Sequence, residues 1–263
     1  MWRNMLVLLV GLTNIFRYQF SYSFIGILLS IFITTYSASS SAAQSSDSIS
    51  AQQIIKKTIV PASLIGAGII INNTTFEKNI QSNIQNSVGS DFNFAADDYI
   101  LYAPIAEMYI ADIIGIKSRN HWFEQTKYLL ISNIISSGIT YIIKTSVIKE
   151  RPNEISHNSL PSGHTTIAFT NATVLYNEFN QNAPLLAYSG YAFATTTGVF
   201  RVINNEHWIS DVLIGAGIGI LATQVVYFFE PLKRFNPFKK SEGIILLPQI
   251  DRQGYGFYFS YKI

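Results

Sequence analysis

The 263-residue chain contains no cysteine, which excludes disulfide frameworks, thiolate zinc sites and cysteine nucleophiles in one step. Charge is scarce as well: 13% of residues are Asp, Glu, Lys or Arg, and the formal net charge is +2. So small a balance argues against a nucleic-acid partner, and the basic residues are scattered apart from the run KRFNPFKK at Lys233 to Lys240. What remains for acid–base or nucleophilic chemistry is four histidines, His121, His157, His164 and His207. Hydrophobic residues, by contrast, make up 48% of the chain, which sets it on the borderline between soluble and membrane proteins.

Residues 1–43 read as a targeting segment. Arg3 and Arg17 precede the apolar run FIGILLSIFITTY from Phe24, and the small-residue tract SASSSAAQSS follows. That pattern fits a signal peptide cut near Ala43, or an uncleaved N-terminal membrane anchor. Further along, apolar segments recur at 58–71, 99–116, 128–148, 165–176, 184–200 and 209–229, and their lengths predict an all-α bundle of about six helices. The third and sixth are long enough to span a bilayer, while the second carries Glu107 and Asp112. If the second to sixth all span, the basic loops at 117–127 and 233–240 share one side, which the positive-inside rule makes cytoplasmic. A cleaved signal conflicts with that parity unless the first helix does not span or the bundle lies outside the cytoplasm.

Between the first two segments, NNTTFEKNIQSNIQNSVGSDFNFAADD is polar and reads as a loop with one amphipathic turn. Asp97 and Asp98 at its end could start the next helix or edge a cleft, and the start is the reading favoured. The C-terminal GIILLPQIDRQGYGFYFSYKI alternates in the manner of strands, predicting a short hairpin across QIDRQG. The domain layout expected is therefore a signal or anchor at 1–43, a helical domain at 44–232 and a basic linker with an extended tail at 233–263.

Three short stretches carry chemistry. In KTSVIKERP, Lys144 and Arg151 lie two helical turns apart, on nearly one face if the helix continues to Pro152. In PSGHTT, Ser162 can cap a helix whose free amides attract an oxyanion, Gly163 lets a ligand approach, and His164 stands at the mouth. In RVINNEHWISD, Arg201 is followed by His207 and Asp211, whose i, i+4 spacing lets the carboxylate hold one imidazole nitrogen and leave the other free to attack. Each stretch alone has a plain alternative: solvated charges, a capped helix start, a surface pair. Together they supply cations, a helix N-terminus and two histidines, an inventory suited to phosphoryl transfer without a metal or cofactor. His157 is expected to be solvated and His121 structural or interfacial, while Asn204, Asn205 and Trp208 cap and seat the helix beside His207.

At these residues the sequence resembles the type 2 phosphatidic acid phosphatase and vanadium haloperoxidase superfamily, with its Lys-x6-Arg-Pro, Pro-Ser-Gly-His and Ser-Arg-x5-His-x3-Asp signatures. The match runs from Lys144 to Asp211 and departs at Phe200, where the family has serine. The resemblance implies that Lys144, Arg151, Ser162, Gly163 and Arg201 bind phosphate. It implies His207 as a nucleophile forming a phosphohistidine, His164 as general acid and Asp211 as the group that orients His207. It further implies a lipid phosphate or pyrophosphate substrate at the periplasmic face of a bacterial inner membrane, with no obligate protein partner. The substrate class covers undecaprenyl pyrophosphate, phosphatidic acid, phosphatidylglycerol phosphate and lipid A phosphates. The rival readings are a periplasmic acid phosphatase of the same superfamily, a vanadium haloperoxidase, and a non-catalytic membrane scaffold or transporter part.

Overall fold

The six apolar segments all become helical in the computed structural model, which describes residues 51–89, 92–229, 244–251 and 254–261. The stretch 1–43 read as a targeting segment and the basic run at 233–240 lie outside the described residues. Eight helices follow in order: α1 (Ala51–Ile71), α2 (Thr75–Val88), α3 (Asp97–Ile100), α4 (Ala103–Ile113), α5 (Trp122–Ser146), α6 (Gly163–Phe179), α7 (Pro184–Ile203) and α8 (Ile209–Phe228). They belong to a compact unit that ends at Phe228. A second unit, from Phe229 onward, holds the expected hairpin. Its strands β1 (Ile244–Asp251) and β2 (Gly254–Tyr261) pair antiparallel, from Ile244 opposite Tyr261 to Asp251 opposite Gly254.

Two expectations are corrected. The polar stretch after Ile71 is not a loop but the 14-residue helix α2. Its start is a capping arrangement: the Glu77 amide donates to Thr74 Oγ1, and Glu77 Oε2 accepts from the Asn73 amide at 2.7 Å. TTFE carries the Thr-x-x-Glu signature of such a cap, and Phe76, Ile80, Ile84 and Val88 recur at every fourth position, a narrow stripe outnumbered by the polar residues around it. The second correction concerns α5, which does not run on to Pro152. It stops at Ser146, and Val147 is extended at φ −115° and ψ 123°. Lys149 then pairs with Asn158 as an isolated parallel bridge. Lys144 and Arg151 therefore meet through a loop rather than along one helical face.

Helix α8 is apolar all round and mostly buried, as a helix at the centre of a bundle must be. Among the described residues it is the one helix long and apolar enough by itself to cross a membrane; α1 and α2 reach that length together only across a 91° bend. Close packing around α8 rests on glycine. A Cβ on Gly219 would lie 2.5 Å from the Thr166 carbonyl oxygen and 2.9 Å from the Thr170 nitrogen, both backbone atoms of α6. Gly215 meets Ser162 in the same way, whereas Gly217 faces Pro61 and Ile65 of α1. The spacing of four keeps Gly215 and Gly219 on one face and draws α8 against the N-terminal half of α6, where the site is built.

Gly219→Ala is therefore expected to destabilise the helical unit by about 1–3 kcal/mol through overpacking against a backbone that cannot yield. Gly138→Ala, in α5 with nothing within 4 Å of the added carbon, is expected to stabilise by about 0.5–1 kcal/mol through helix propensity. Thermal unfolding of the two variants beside wild type checks the contrast in sign.

Candidate active site

The three motif stretches converge at one end of the helical unit, where the C-termini of α5 and α7 meet the N-termini of α6 and α8. Ser162 is the N-cap of α6; its hydroxyl accepts from the Thr165 hydroxyl at 2.9 Å, and its amide donates to the Asp211 carbonyl at 3.0 Å. The Ser162 oxygen is thus spent on capping, with its proton still free to donate. Gly163 opens the helix, and a Cβ there would meet only Lys144 Cε, at 4.0 Å. The Lys144 ammonium donates to the Asn158 carbonyl at 2.7 Å.

His207 precedes α8 rather than lying on it, since the helix begins at Ile209. The expected shared face with Asp211 is corrected accordingly: a tight turn, not a helical turn, brings the two together. His207 is 2% exposed and Asp211 fully buried. Nδ1 of His207 lies 3.6 Å from Asp211 Oδ2 and 3.5 Å from Ser159 Oγ, so Nε2 is the nitrogen turned to the site. Asp211 Oδ2 also accepts from Ser159 Oγ and from the Trp208 amide at 3.0 Å. Burial pulls His207 down to about 4, outweighing the opposing pull of Asp211, with Lys144 and Arg151 adding to the decrease. The ring is neutral at neutral pH, which is the form that can attack.

His164, on the first turn of α6, turns Nε2 to Asp98 Oδ1 at 3.0 Å. Burial and then Arg201 lower its pKa below the ordinary 6.5, against Asp98 and Asp97, which raise it. Arg201 is buried, donating from Nη1 to Asp97 Oδ2 at 2.9 Å. Asp97 and Asp98 thus do both things weighed for them: they open α3 and edge the site as partners of its cations.

Glu206 Oε2 sits between the arginines: it accepts from Arg151 Nη1 in a short ion pair and lies 3.4 Å from Arg201 Nη2. One carboxylate oxygen thus marks where two guanidinium groups converge. The Nε–H groups of both arginines are buried without a hydrogen-bond partner among the described residues. Unpaired buried donors of this kind are costly, and a tetrahedral oxyanion offers the acceptors they lack.

Several groups here escaped the sequence reading: Glu77, Lys149, Ser159 and Glu206. Glu206 adjoins His207 in the chain, but only the turn shows that it faces both arginines. Phe200, which stands where the family has serine, packs its ring on Phe94 at 4.6 Å between centroids. Asn204 fastens the same segment, accepting from the Phe94 amide and donating to its carbonyl, each at 3.0 Å. Asn205 accepts from Gln81 of α2 at 2.6 Å, and the Trp208 indole donates to the Glu150 carbonyl at 2.7 Å. His157 is exposed, and His121 caps α5, its Nδ1 accepting from the Phe123 amide.

Residues 125–234, which include all three motif stretches, match the PAP2 superfamily. The lipid A 1-phosphatase of Porphyromonas gingivalis is 30% identical over 190 residues, covering 69% of this chain; the chain spans 42% of that protein's length. Among solved structures, Aquifex aeolicus LpxE aligns with a TM-score of 0.45 at 20% identity, over 60% of this chain and 99% of its own. The transmembrane PAP2-type phosphatidylglycerolphosphate phosphatase of Bacillus subtilis aligns with a TM-score of 0.47 at 18% identity, over 68% and 99%. With its motif residues gathered at one end of a helical unit and residues 125–234 matched, the chain carries a PAP2 superfamily domain.

Proposed function

We propose that the protein is a metal-independent phosphatase acting on a lipid phosphate or pyrophosphate through a phosphohistidine at His207. The observation that carries this reading is the pair of guanidinium groups converging on one carboxylate oxygen, with buried Nε donors left over, beside a neutral histidine aimed by an acid. In the proposed reaction, the substrate phosphate displaces Glu206 and is held by Arg151, Arg201, Lys144 and the first amides of α6, Gly163 foremost. Their charge offsets that of the equatorial oxygens.

Nε2 of His207 attacks phosphorus in line. The P–N bond forms as the P–O bond to the lipid breaks, and His164 gives its proton to the departing oxygen. Asp211 accepts from Nδ1 and offsets the positive charge of the phosphorylated ring. Water then attacks phosphorus while His164 takes its proton, the P–N bond breaks, and inorganic phosphate leaves with His207 neutral again.

A lipid substrate is supported by the rim. Ile148 and Ile155, in the loop holding Lys149 and Arg151, are 59% and 81% exposed, and Tyr99, beside Asp98, is 75% exposed. Apolar side chains so exposed around a charged cleft suit an acyl or prenyl chain whose headgroup enters the cleft. The relative's name makes lipid A 1-phosphate the first substrate to try. The setting proposed is the inner membrane, with the site on the periplasmic side.

Phosphate release by detergent-purified protein, in chelator, tests the reading with lipid A, undecaprenyl pyrophosphate, phosphatidic acid and an aryl phosphate side by side. Preference for one of the lipids by roughly tenfold or more in kcat/KM is expected, since a buried acyl chain contributes more than the ~1.4 kcal/mol this requires. Equal turnover of the aryl phosphate would make the protein a broad acid phosphatase instead. Loss of activity in chelator would overturn the metal-free mechanism.

A further inference from the structure

Behind Asp211, on the side away from His207, lies a cation at one of the unspecified positions of Lys-x6-Arg-Pro. Lys149 donates from Nζ to Asp211 Oδ1 at 2.9 Å and to Ser210 Oγ at 2.6 Å, and lies 3.3 Å from Glu77 Oε1. Its side chain is 11% exposed, and those of Glu77 and Asp211 are 1% and 0%. Glu77 comes from α2, outside the matched residues 125–234. It receives the Ser210 amide at 3.1 Å and the Ser210 hydroxyl in a shorter contact, so it also holds the first turn of α8. The Lys149 ammonium lies 5.8 Å from the centre of the Trp208 ring, which closes it off further.

We propose that Lys149 and Glu77 are positioning residues for the His207–Asp211 pair: Lys149 lets Asp211 orient the imidazole without holding a second proton on it, and Glu77 locks Lys149 in place. The proposal rests on the reading of His207 as nucleophile. Its physical basis is a charge count in a buried space. Glu77, Asp211 and Lys149 together carry one net negative charge. Without the ammonium they would carry two, and a buried pair of carboxylates would hold a proton on the nearest base. That base is His207, which would then be an imidazolium that cannot attack.

The groups around His207 that bear on this are Asp211 from α8, Lys144 from α5, Arg151 and Lys149 from the 147–162 loop and Glu77 from α2. His164, Arg201 and Glu206 complete the site. Lys144 and Arg151 act in the same direction as Lys149, but both are placed to meet substrate, whose phosphate cancels them on binding. Lys149 is turned to Asp211 and keeps its effect when the site is filled. Asp211 thereby remains free to accept the Nδ1 proton throughout the cycle.

The test is the ring titration of His207, followed by NMR on full-length, detergent-solubilised protein labelled in its histidine rings. The His207→Ala spectrum identifies the signal. Four proteins are compared: wild type, Lys149→Met, Lys149→Arg, and the double variant Lys149→Met/Glu77→Gln, which removes the second buried carboxylate together with the lysine, restores the wild-type charge count and so guards against misfolding. Wild type and Lys149→Arg are expected to titrate lowest, the double variant with them or just above, and Lys149→Met highest by about one pH unit or more. Below that midpoint the neutral fraction, and with it kcat/KM, falls roughly tenfold per unit.

A Lys149→Met variant that folds with the wild-type midpoint would overturn the proposal, and so would a double variant titrating above Lys149→Met. A purely structural lysine would lower the unfolding temperature and leave the midpoints alone. The titration needs no turnover. Failure of the phosphatase reading would therefore appear separately, as wild type that releases no phosphate.

Discussion

His207→Ala is expected to lower kcat by at least about 10⁴-fold with the fold retained, since the proposed nucleophile cannot be replaced by water held in the same pocket. Radiolabelled lipid phosphate should leave an acid-labile, base-stable label on wild type after a rapid quench and none on the variant. The pH dependence sharpens this expectation. Free enzyme needs His207 neutral, hence a pH above about 4, and His164 protonated, hence a pH below a value that burial and Arg201 have brought under 6.5. The kcat/KM profile should therefore be a narrow bell with its optimum on the acidic side, the ascending limb belonging to His207 and the descending limb to His164. The profile of a His164→Asn variant should lose its descending limb, and the ratio of wild type to that variant, in which ionisation of the substrate cancels, should keep that limb alone. An alkaline optimum would overturn His164 as the general acid.

Arg201→Ala is expected to act twice over. The guanidinium and Asp97 form a buried ion pair at 2.9 Å with side chains 9% and 2% exposed, and removing one member of such a pair costs about 3–5 kcal/mol because the other charge stays buried. For a helical unit of this size that corresponds to roughly 10 °C in unfolding temperature. Catalysis should fall as well, by roughly 10²–10³-fold, through loss of a cation facing the transferred phosphoryl group. The double variant Arg201→Ala/Asp97→Asn separates the effects: stability should largely return and activity should not. If activity returned with stability, Arg201 would be a structural residue, and the convergence of the two arginines on Glu206 would lose its catalytic meaning.

How much was legible beforehand differs between elements for physical reasons. Helices α5, α6, α7 and α8 could be read because each carries an apolar run too long for a strand, punctuated by Pro161, Gly163 and Pro184. Helix α2 could not be read by that route. It has no apolar run, its four apolar residues standing singly at every fourth position, and it is held by the Thr74 cap and by Glu77 and Gln81 bonding to distant backbone, including the Val202 carbonyl at 3.1 Å. Extending α5 toward Pro152 was a reasonable reading of KTSVIKERP, since nothing local forbids helix before Glu150. What ends it is a tertiary contact, the pairing of the Lys149 and Arg151 amides with the His157 and Ser156 carbonyls at 3.0 and 2.9 Å.

The sequence by itself determined the helical class, the three motif stretches and the identity of the eight residues proposed to bind and cleave phosphate. Those are local matters of periodicity, capping and spacing within short windows. The tertiary structure alone decided which acids answer the cations. Glu77 reaches Lys149 across 72 positions and Ser210 across 133, and Asp97 reaches Arg201 across 104. No spacing rule operates over such separations. The pairs exist because glycines on α8 let the bundle close tightly enough that a buried charge must find an opposite one.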